Sequence, residues 1–130
     1  MDLIVCVDDR MGMAFNGRRQ SRDRVVCEDI VKTVQGRTLG LDKRSFRLFD
    51  DMDIKLHEGF DGCDCCFLEF SGPTDFLGKP DHIIMYRWNR HYPADVYFDL
   101  QMDGYMLKES TEFAGSSHEK ITKEVYGYEK

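Results

Sequence analysis

The chain has 130 residues, of which 42% are hydrophobic and 32% are charged. This length fits one domain spanning residues 1–130, because two separate hydrophobic cores would each be too small. The composition argues against disorder, and no apolar run reaches the roughly 20 residues that a membrane-spanning helix needs. The N-terminal segment carries an acid and only a short apolar run, so we expect a cytoplasmic protein without a secretion signal.

The net charge of −6 is unevenly distributed along the chain. Residues 1–49 carry 10 basic and 7 acidic side chains, whereas residues 50–130 carry 8 and 17. An acidic protein is a poor general binder of nucleic acid, because contacts to phosphates require a cationic surface. The basic residues of the first half are concentrated at Arg18, Arg19, Arg22 and Arg24.

The five cysteines do not indicate a disulfide framework, because their number is odd and no secretion signal precedes them. The cluster Cys63-Asp64-Cys65-Cys66 is not followed by the second ligand pair or close histidine of a zinc site. We therefore expect no metal site and interpret these cysteines as small hydrophobic residues in a buried strand. Ser116-Ser117-His118-Glu119 places serine near histidine, but adjacency in sequence is not triad geometry, and we interpret this segment as a hairpin turn.

The first elements in chain order predict a strand followed by a helix. Residues 3–8 are a nearly continuous apolar run, as in a strand that is covered on both faces. After a polar loop, apolar residues recur every four positions and predict a helix over residues 23–35. Ser21 or Asp23 can cap this helix, and Gly36 can end it in the left-handed conformation.

The later elements are mostly strands. We predict a strand over 37–41, a short helix over 42–49 capped by Asp42, a weak strand over 54–56, buried strands over 65–70 and 82–88, and a final hairpin of strands over 105–107 and 122–128. This order predicts an α/β sandwich with a mainly parallel sheet and an antiparallel C-terminal edge.

The order of elements and several motifs resemble the dihydrofolate reductase family. Residues 3–8 are similar to its first strand, and Arg24–Gly36 is similar to its substrate-side helix with the terminal glycine. Leu41-Asp42-Lys43-Arg44-Ser45-Phe46 lies where the family has a Met-Gly-Arg-Lys-Thr-Phe-like stretch. Tyr92–Phe98 resembles its Gly-Asp-Thr-x-Phe-Pro segment, and Ile121–Tyr128 its terminal Tyr-x-Phe-x-x-Tyr strand. The resemblance implies a three-layer dihydrofolate reductase-like fold with a shortened cofactor-side region.

On the substrate side, the residue that carries chemistry in this family is changed. The family's substrate-side carboxylate lies early in the helix, where a gap-free match places Val26. Asp23 and Asp29 each lie three residues away, which is near one helical turn. They are therefore the two catalytic candidates that the resemblance offers, since protonation of a pterin requires an acid in a largely dry pocket.

NADPH is the cofactor that the resemblance implies, but the sequence disfavours it. The family holds the cofactor phosphates with an Arg/Thr stretch and a Gly-Gly helix start. The family's Arg/Thr stretch is replaced only in part, by Lys43, Arg44 and Ser45. Glu69 lies near the position of the expected glycines, where its charge would repel a pyrophosphate. The region between residues 46 and 63 is short and acidic, which is the wrong charge for a 2′-phosphate.

The arginine-rich loop before the predicted helix is the most informative segment. Its arginines lie beside a helix N-terminus and can bind a phosphate or carboxylate bidentately. In the resembling fold, Trp88 follows a strand that belongs to the same sheet. Its ring can stack on a base or a guanidinium group. The alternative is a solvated loop that pairs with nearby acids. The ligand-binding candidates are Asn16, Arg18, Arg19, Ser21, Arg22, Arg24, Arg87, Trp88 and Arg90.

These observations leave three functions open. The first is a divergent dihydrofolate reductase-like protein that binds a small anionic or nucleotide-like ligand without reducing folate. The second is a compact NADPH-dependent reductase of a pterin-like substrate, which is the leading class if the protein is an enzyme. The third is an acidic interaction or inhibitor protein, from a mobile element, that binds a basic surface of a protein partner.

A further resemblance suggests a fourth function. The chain is similar to small bacterial proteins that are often labelled ribonuclease Z. The chemistry behind that label requires a His-x-His-x-Asp-His motif to hold two zinc ions. The sequence contains no such motif, so its residues do not support the label.

Overall fold

The computed structural model describes residues 1–75 and 79–129. Within them the chain forms ten strands, one α-helix and two short 3₁₀ helices. The strands are β1 (Asp2–Val7), β2 (Gly12–Phe15), β3 (Arg18–Arg19), β4 (Thr38–Leu41), β5 (Lys55–Glu58), β6 (Cys65–Phe67), β7 (His82–Arg87), β8 (Val96–Tyr97), β9 (Tyr105–Phe113) and β10 (Ile121–Tyr128). The α-helix is α1 (Arg24–Val34), and the 3₁₀ helices are Lys43–Phe49 and Pro73–Asp75.

Seven strands form the central sheet, in the order β5-β4-β6-β1-β7-β10-β9. Every neighbouring pair from β5 to β7 is parallel, whereas β10 pairs antiparallel with both β7 and β9. The strands β2, β3 and β8 form a separate antiparallel sheet. The predicted α/β fold, with a mainly parallel sheet and an antiparallel C-terminal edge, is therefore confirmed.

Alternate side chains of the central strands form a core on each face of the sheet. Ile4 of β1 belongs to the same buried cluster as Ile30 of α1, so the helix covers this face. Leu3 belongs to the opposite cluster with Met13 of β2 and Phe98. Burying one such side chain contributes about 1.5–3 kcal/mol. In the described part of the chain, the layer on this second face contains the small sheet and loops rather than an α-helix.

The helix α1 lies close to the prediction over residues 23–35. Asp23 is its N-cap, because its side chain accepts hydrogen bonds from two N–H groups of the first turn, and Ser21 lies outside the cap. The helix ends at Val34, one residue earlier than predicted, with Gln35 as a left-handed C-cap at φ of 53°, and Gly36 follows in the left-handed region as predicted, at φ of 78°. The Gln35 N–H still reaches a carbonyl of the last turn, so the early ending leaves this donor paired.

Part of the predicted arginine-rich loop is a β-hairpin rather than a loop. The strands β2 and β3 pair across Asn16 and Gly17, which both have positive φ, at 53° and 72°. An Asn-Gly pair is a strong sequence signal for such a turn, because both residues tolerate this conformation. The hairpin places Arg18 and Arg19 on a short strand.

Among the other elements, three differ most clearly from the prediction in type or length. The short helix predicted over residues 42–49 is a 3₁₀ helix with Asp42 as its N-cap. The strand predicted over residues 65–70 ends at Phe67, so Glu69 lies beyond it. The strand β9 is much longer than predicted, because it continues through exposed polar residues that carry no hydrophobic pattern.

No helix in the described ranges is both long and apolar enough to cross a membrane.

Candidate functional site

Asp23 joins the start of α1 to the loop between β9 and β10. The residue is 2% exposed, and besides capping α1 it accepts hydrogen bonds from the N–H groups of Ser116 and Ser117, at 2.9 and 2.8 Å. Gly115 permits this approach, because a Cβ at that position would lie 2.3 Å from Asp23 Oδ2. The carboxylate is therefore fixed by two segments that are distant in sequence.

His118 continues this network on the other side of the carboxylate. Its Nδ1 lies 3.0 Å from Asp23 Oδ2, and its Nε2 lies 3.0 Å from Tyr92 Oη and 3.2 Å from Ser21 Oγ. The imidazole stacks on Trp88 with 4.6 Å between ring centroids and an interplanar angle of 21°. Both rings are buried, so the stack fixes the orientation of the imidazole.

The pKa of Asp23 lies well below its ordinary value. Burial raises this pKa, but hydrogen bonds from His118 and from backbone N–H groups lower it by a larger total amount. Asp23 is therefore ionised at neutral pH. Because an ionised carboxylate only accepts hydrogen bonds, His118 Nδ1 carries a proton in this contact. In the neutral ring, Nε2 is then an acceptor with one lone pair, which can take a hydrogen bond from the hydroxyl group of Ser21 or of Tyr92.

A groove of about 470 Å³ opens beside this network, between the start of α1, the 3₁₀ helix Lys43–Phe49 and the β9–β10 loop. Three arginines line it: Arg22, Arg24 and Arg47. Arg22 and Arg47 are exposed, and their guanidinium groups have no hydrogen-bond or ion-pair partner within residues 1–75 and 79–129. Arg24 makes one ion pair, at 3.5 Å, with the exposed Glu28. The three guanidinium groups can therefore turn to an anion in the groove.

Groups of other chemistry complete the lining of the groove. Asp50 and Asp51 are exposed there and can accept hydrogen bonds from hydroxyl or amino groups of a ligand. Cys27, Leu48 and Met52 supply apolar surface. The groove thus combines cationic groups, acceptors and an apolar area, which is the usual mixture in a small-molecule site.

The structure divides the predicted ligand-binding residues among several places. Arg22 and Arg24 line the groove, and Ser21 contacts His118. The Arg19 guanidinium instead forms two hydrogen bonds with the Glu69 carboxylate, at 3.0 and 3.1 Å. This internal pair occupies the donors that Arg19 would need for a ligand.

The other predicted ligand-binding residues lie outside the groove. Asn16 forms the β2–β3 turn, and Arg18 is exposed on β3. Arg87 pairs with Glu124 at 2.6 Å, and Arg90 is exposed in the loop after β7. Trp88 is 4% exposed, and its stack with His118 covers one face of its ring.

Asp29, the second predicted catalytic residue, belongs to another network. Its Oδ2 accepts a hydrogen bond from Tyr86 Oη at 2.6 Å and pairs with Lys123 Nζ at 2.8 Å. Lys123 also donates to Thr33 Oγ1 at 2.8 Å. Burial, followed by the bond to Asp29, holds the pKa of Tyr86 far above its usual value. These contacts join α1 to the sheet and leave Asp29 away from the groove lining.

Two of the three predicted cofactor-binding residues are engaged by carboxylates. Arg44 pairs with Asp42 at 3.0 Å, and this contact is the main reason that the pKa of Asp42 is lowered. Ser45 is buried and donates to Glu69 Oε1 at 2.5 Å, whereas Lys43 is exposed. The side chains at this place fit the pyrophosphate of NADPH poorly, because Asp42 engages Arg44, Glu69 engages Ser45, and the Glu69 carboxylate repels a second anion.

The cysteine cluster is mostly buried. Cys65 and Cys66 belong to β6, and burial raises the pKa of Cys66 to about 11. Cys63 is half-buried, with its Sγ 3.6 Å from His57 Nδ1. In the part of the chain that the structure describes, no group of three or more His, Cys, Asp or Glu side chains could hold a metal ion.

Sequence reasoning missed Arg47, Tyr92 and the contact between His118 and Asp23. Arg47 is the fifth residue after the N-cap, Asp42, and its exposed position gives no sequence signal that it faces α1. His118 lies 95 residues from Asp23, so no local spacing connects them. The available signal was the Ser-Ser-His run in a hairpin turn, which presents backbone N–H groups and an imidazole together.

A solved structure of known function shares this architecture. The chain is similar to dihydrofolate reductase from Enterococcus faecalis, determined in complex with NADP(H) and RAB-propyl, with a TM-score of 0.66 and 9% sequence identity over 99% of this chain and 96% of that chain. The protein therefore has a dihydrofolate reductase-like fold. No protein-family model and no curated protein sequence matches the chain.

Proposed function

We propose that this protein binds a small anionic or nucleotide-like ligand in the groove beside α1 and does not reduce folate. The observation that carries the proposal is the set of three groove arginines, Arg22, Arg24 and Arg47. Two of them have no partner among the described residues, although acids are abundant in this chain. Exposed guanidinium groups that converge on one groove suit a phosphate or carboxylate, which they bind bidentately.

The other groove residues support a ligand that carries more than its anionic group. Asp50 and Asp51 would accept hydrogen bonds from hydroxyl groups, such as those of a ribose, or from an amino group. A volume of about 470 Å³ lies within the usual range for small-molecule sites, roughly 300–1,000 Å³. A nucleoside monophosphate or a phosphorylated sugar has the required combination of charge and hydroxyl groups.

The surroundings of Asp23 argue against folate reduction. The cavity next to Asp23, Val26 and Trp88 has a volume of about 10 Å³, which is about the size needed for one water molecule. A pterin ring therefore does not fit in this cavity unless its lining residues move apart. Glu69, at the predicted cofactor side, adds a charge that disfavours NADPH.

Binding of adenosine monophosphate and of inorganic pyrophosphate, measured by isothermal titration calorimetry, tests the proposal. We expect wild-type binding of at least one probe, and we expect the double variant Arg22→Ala/Arg47→Ala to weaken it by about 10-fold or more, since each charged hydrogen bond contributes about 1.5–3 kcal/mol. Arg90→Ala is the matched control, because Arg90 is also an exposed arginine but lies outside the groove. Equal weakening in both variants, or no binding of either probe at millimolar concentration, would contradict the proposal.

A further inference from the structure

Beside the groove, a carboxylate, an imidazole and a hydroxyl group form a continuous chain of hydrogen-bond contacts. Asp23 Oδ2 lies 3.0 Å from His118 Nδ1, and His118 Nε2 lies 3.2 Å from Ser21 Oγ. In this order the imidazole can remove the hydroxyl proton, while the carboxylate orients the ring and stabilises its charged form. We propose that Ser21 is a nucleophile with His118 as its general base and Asp23 as the positioning residue, and that they cleave a carboxylic ester bearing an anionic group.

The base is held in one orientation before substrate arrives. Asp23 cannot rotate easily, because it also accepts hydrogen bonds from the start of α1 and from the β9–β10 loop. The imidazole of His118 is clamped between this carboxylate and the ring of Trp88. Ser21 is partly exposed, whereas His118 and Asp23 are buried, so a substrate can reach the nucleophile without competing with water for the base.

Tyr92 supplies a donor for the charge that develops during the attack. Its Oη lies 3.0 Å from His118 Nε2 and 3.5 Å from Ser21 Oγ. When the attacked carbonyl carbon bonds to Ser21 Oγ, its oxygen becomes an oxyanion beside Tyr92. A tyrosine hydroxyl group in this place can stabilise the oxyanion by donating a hydrogen bond.

The class of substrate follows from the neighbouring groove and in this respect rests on the proposed function. Arg22 and Asp23 line both the groove and the small cavity that Ser21 also lines. A phosphate or carboxylate bound by the groove arginines therefore directs the remainder of the same molecule toward Ser21. The substrate is an ester whose anionic group occupies the groove and whose carbonyl group approaches from the exposed side of Ser21.

The reaction requires no oxidant or cofactor. Ser21 Oγ bonds to the carbonyl carbon as its proton passes to His118 Nε2, and the ester C–O bond breaks as His118 returns this proton to the leaving alcohol. A water molecule then attacks the acyl carbon and gives one proton to His118. The bond between the acyl group and Ser21 breaks, Ser21 regains the proton, and the free carboxylic acid is released.

Labelling of the full chain with diisopropyl fluorophosphate tests the nucleophile, because this neutral reagent bonds to an activated serine oxygen with loss of fluoride. We expect one label per chain, mapped to Ser21 by mass spectrometry of peptides. Ser21→Ala should remove the label, and Tyr92→Phe should slow labelling by about 10-fold or more. Ser110→Ala, an exposed serine on β9, is the matched control and should label at the wild-type rate.

His118→Gln should slow labelling further, and circular dichroism shows whether this buried variant remains folded. If it unfolds, Ser21→Ala and Tyr92→Phe still decide the question, because each removes only a hydroxyl group. Absence of labelling in the wild-type protein, or a label on another serine that persists in Ser21→Ala, would overturn the assignment of the nucleophile.

A second measurement separates this inference from the proposed function. A nitrophenyl ester carrying a sulfonate group should have a kcat/KM about 10-fold or more above that of neutral nitrophenyl acetate, and Arg22→Ala/Arg47→Ala should abolish this preference. Labelling of Ser21 without the preference would support the nucleophile and contradict the anionic substrate. Binding of anions in the groove without labelling would support the proposed function alone and overturn the catalytic inference.

Discussion

At the scale of single residues, Asp23 has the largest set of contacts in the candidate site. It caps α1, binds two backbone N–H groups of the β9–β10 loop and contacts His118. A buried carboxylate is costly unless hydrogen bonds compensate for lost hydration, and here the compensation comes from several donors. The same contacts fix the ring of His118, so stability and the geometry of the site depend on one side chain.

Replacing Asp23 with Asn should remove a pH-dependent part of the stability. Because the pKa of Asp23 in the folded state lies below its ordinary value of 3.8, the unfolded chain binds a proton more readily than the folded chain. The stabilisation is complete at pH values above the ordinary pKa and is lost as the pH falls through the lowered pKa. At neutral pH we expect Asp23→Asn to cost about 2–4 kcal/mol.

Urea unfolding at several pH values between about 7 and about 3 measures this effect. The wild type should lose stability more steeply than Asp23→Asn at the acid end of the series. Asp9→Asn is the control, because Asp9 is exposed. A constant difference between the wild type and Asp23→Asn at every pH would contradict this account.

At the scale of elements, the parallel strand β4 depends on the absence of a side chain at Gly40. A Cβ there would lie 2.5 Å from the carbonyl oxygen of Gly59 and 2.8 Å from Cys63 Sγ. The first of these neighbours is backbone and cannot move aside like a flexible side chain. Gly40 thus allows the segment between β5 and β6 to pack closely on β4.

The variant Gly40→Ala should therefore be destabilised by about 1–3 kcal/mol, which is typical of an overpacked core. Gly127→Ala, on β10, is a suitable control because the nearest atom to its added Cβ belongs to the flexible side chain of Lys108, at 3.1 Å. Denaturant midpoints at an unchanged m value would measure both effects. Equal midpoints for the two variants would contradict this prediction and would show that the segment after β5 moves to accommodate the added methyl group.

Elements with local signals could be predicted from the sequence, and those without could not. The helix α1 has an apolar repeat and is preceded by two capping candidates, Ser21 and Asp23, so its existence and approximate start follow from local chemistry. The length of β9 could not be predicted, because its residues from Met106 to Glu112 are exposed and carry no hydrophobic alternation. The hairpin of β2 and β3 was not predicted, although Asn16-Gly17 is a local sequence signal for two short strands joined by a turn.

At the scale of the whole molecule, acidic side chains are concentrated in the region where the fold resemblance predicts a cofactor. The structure from Enterococcus faecalis contains NADP(H), whereas in this chain Glu69 and Asp42 engage two of the three residues predicted to bind the phosphates, Ser45 and Arg44. The segment after Phe49 adds further exposed acids, among them Asp50 and Asp51. The fold is thus shared, and in this chain the predicted cofactor region carries carboxylates that would repel a phosphate.

We therefore expect NADPH at about 1 mM to leave the thermal unfolding midpoint unchanged. A ligand present at 100 times its Kd stabilises the folded state by about 2.7 kcal/mol, which such a measurement detects readily. Glu69→Gln should bind NADPH no more weakly than the wild type, since it removes a repelling charge. A clear rise of the midpoint in the wild type would instead favour the compact reductase.

The candidate site was predictable only where its parts lie close together in the sequence. Ser21, Arg22, Asp23 and Arg24 follow one another before α1, and their residue types alone indicated a polar site. Tyr92 and His118 come from loops 71 and 95 residues further along the chain than their partners Ser21 and Asp23. Only the order of strands in the sheet brings these loops together, and that order depends on long-range packing.

The contact of Asp23 with the β9–β10 loop also constrains when the site can form during synthesis. His118 enters the chain 95 residues after Asp23, so a nascent chain must emerge almost to β10 before the carboxylate meets its partners. Contacts between distant parts of a chain form slowly, because a long loop must close first. We expect the early segments β1 and α1 to collapse with Asp23 still hydrated, and its burial to mark the last stage of folding.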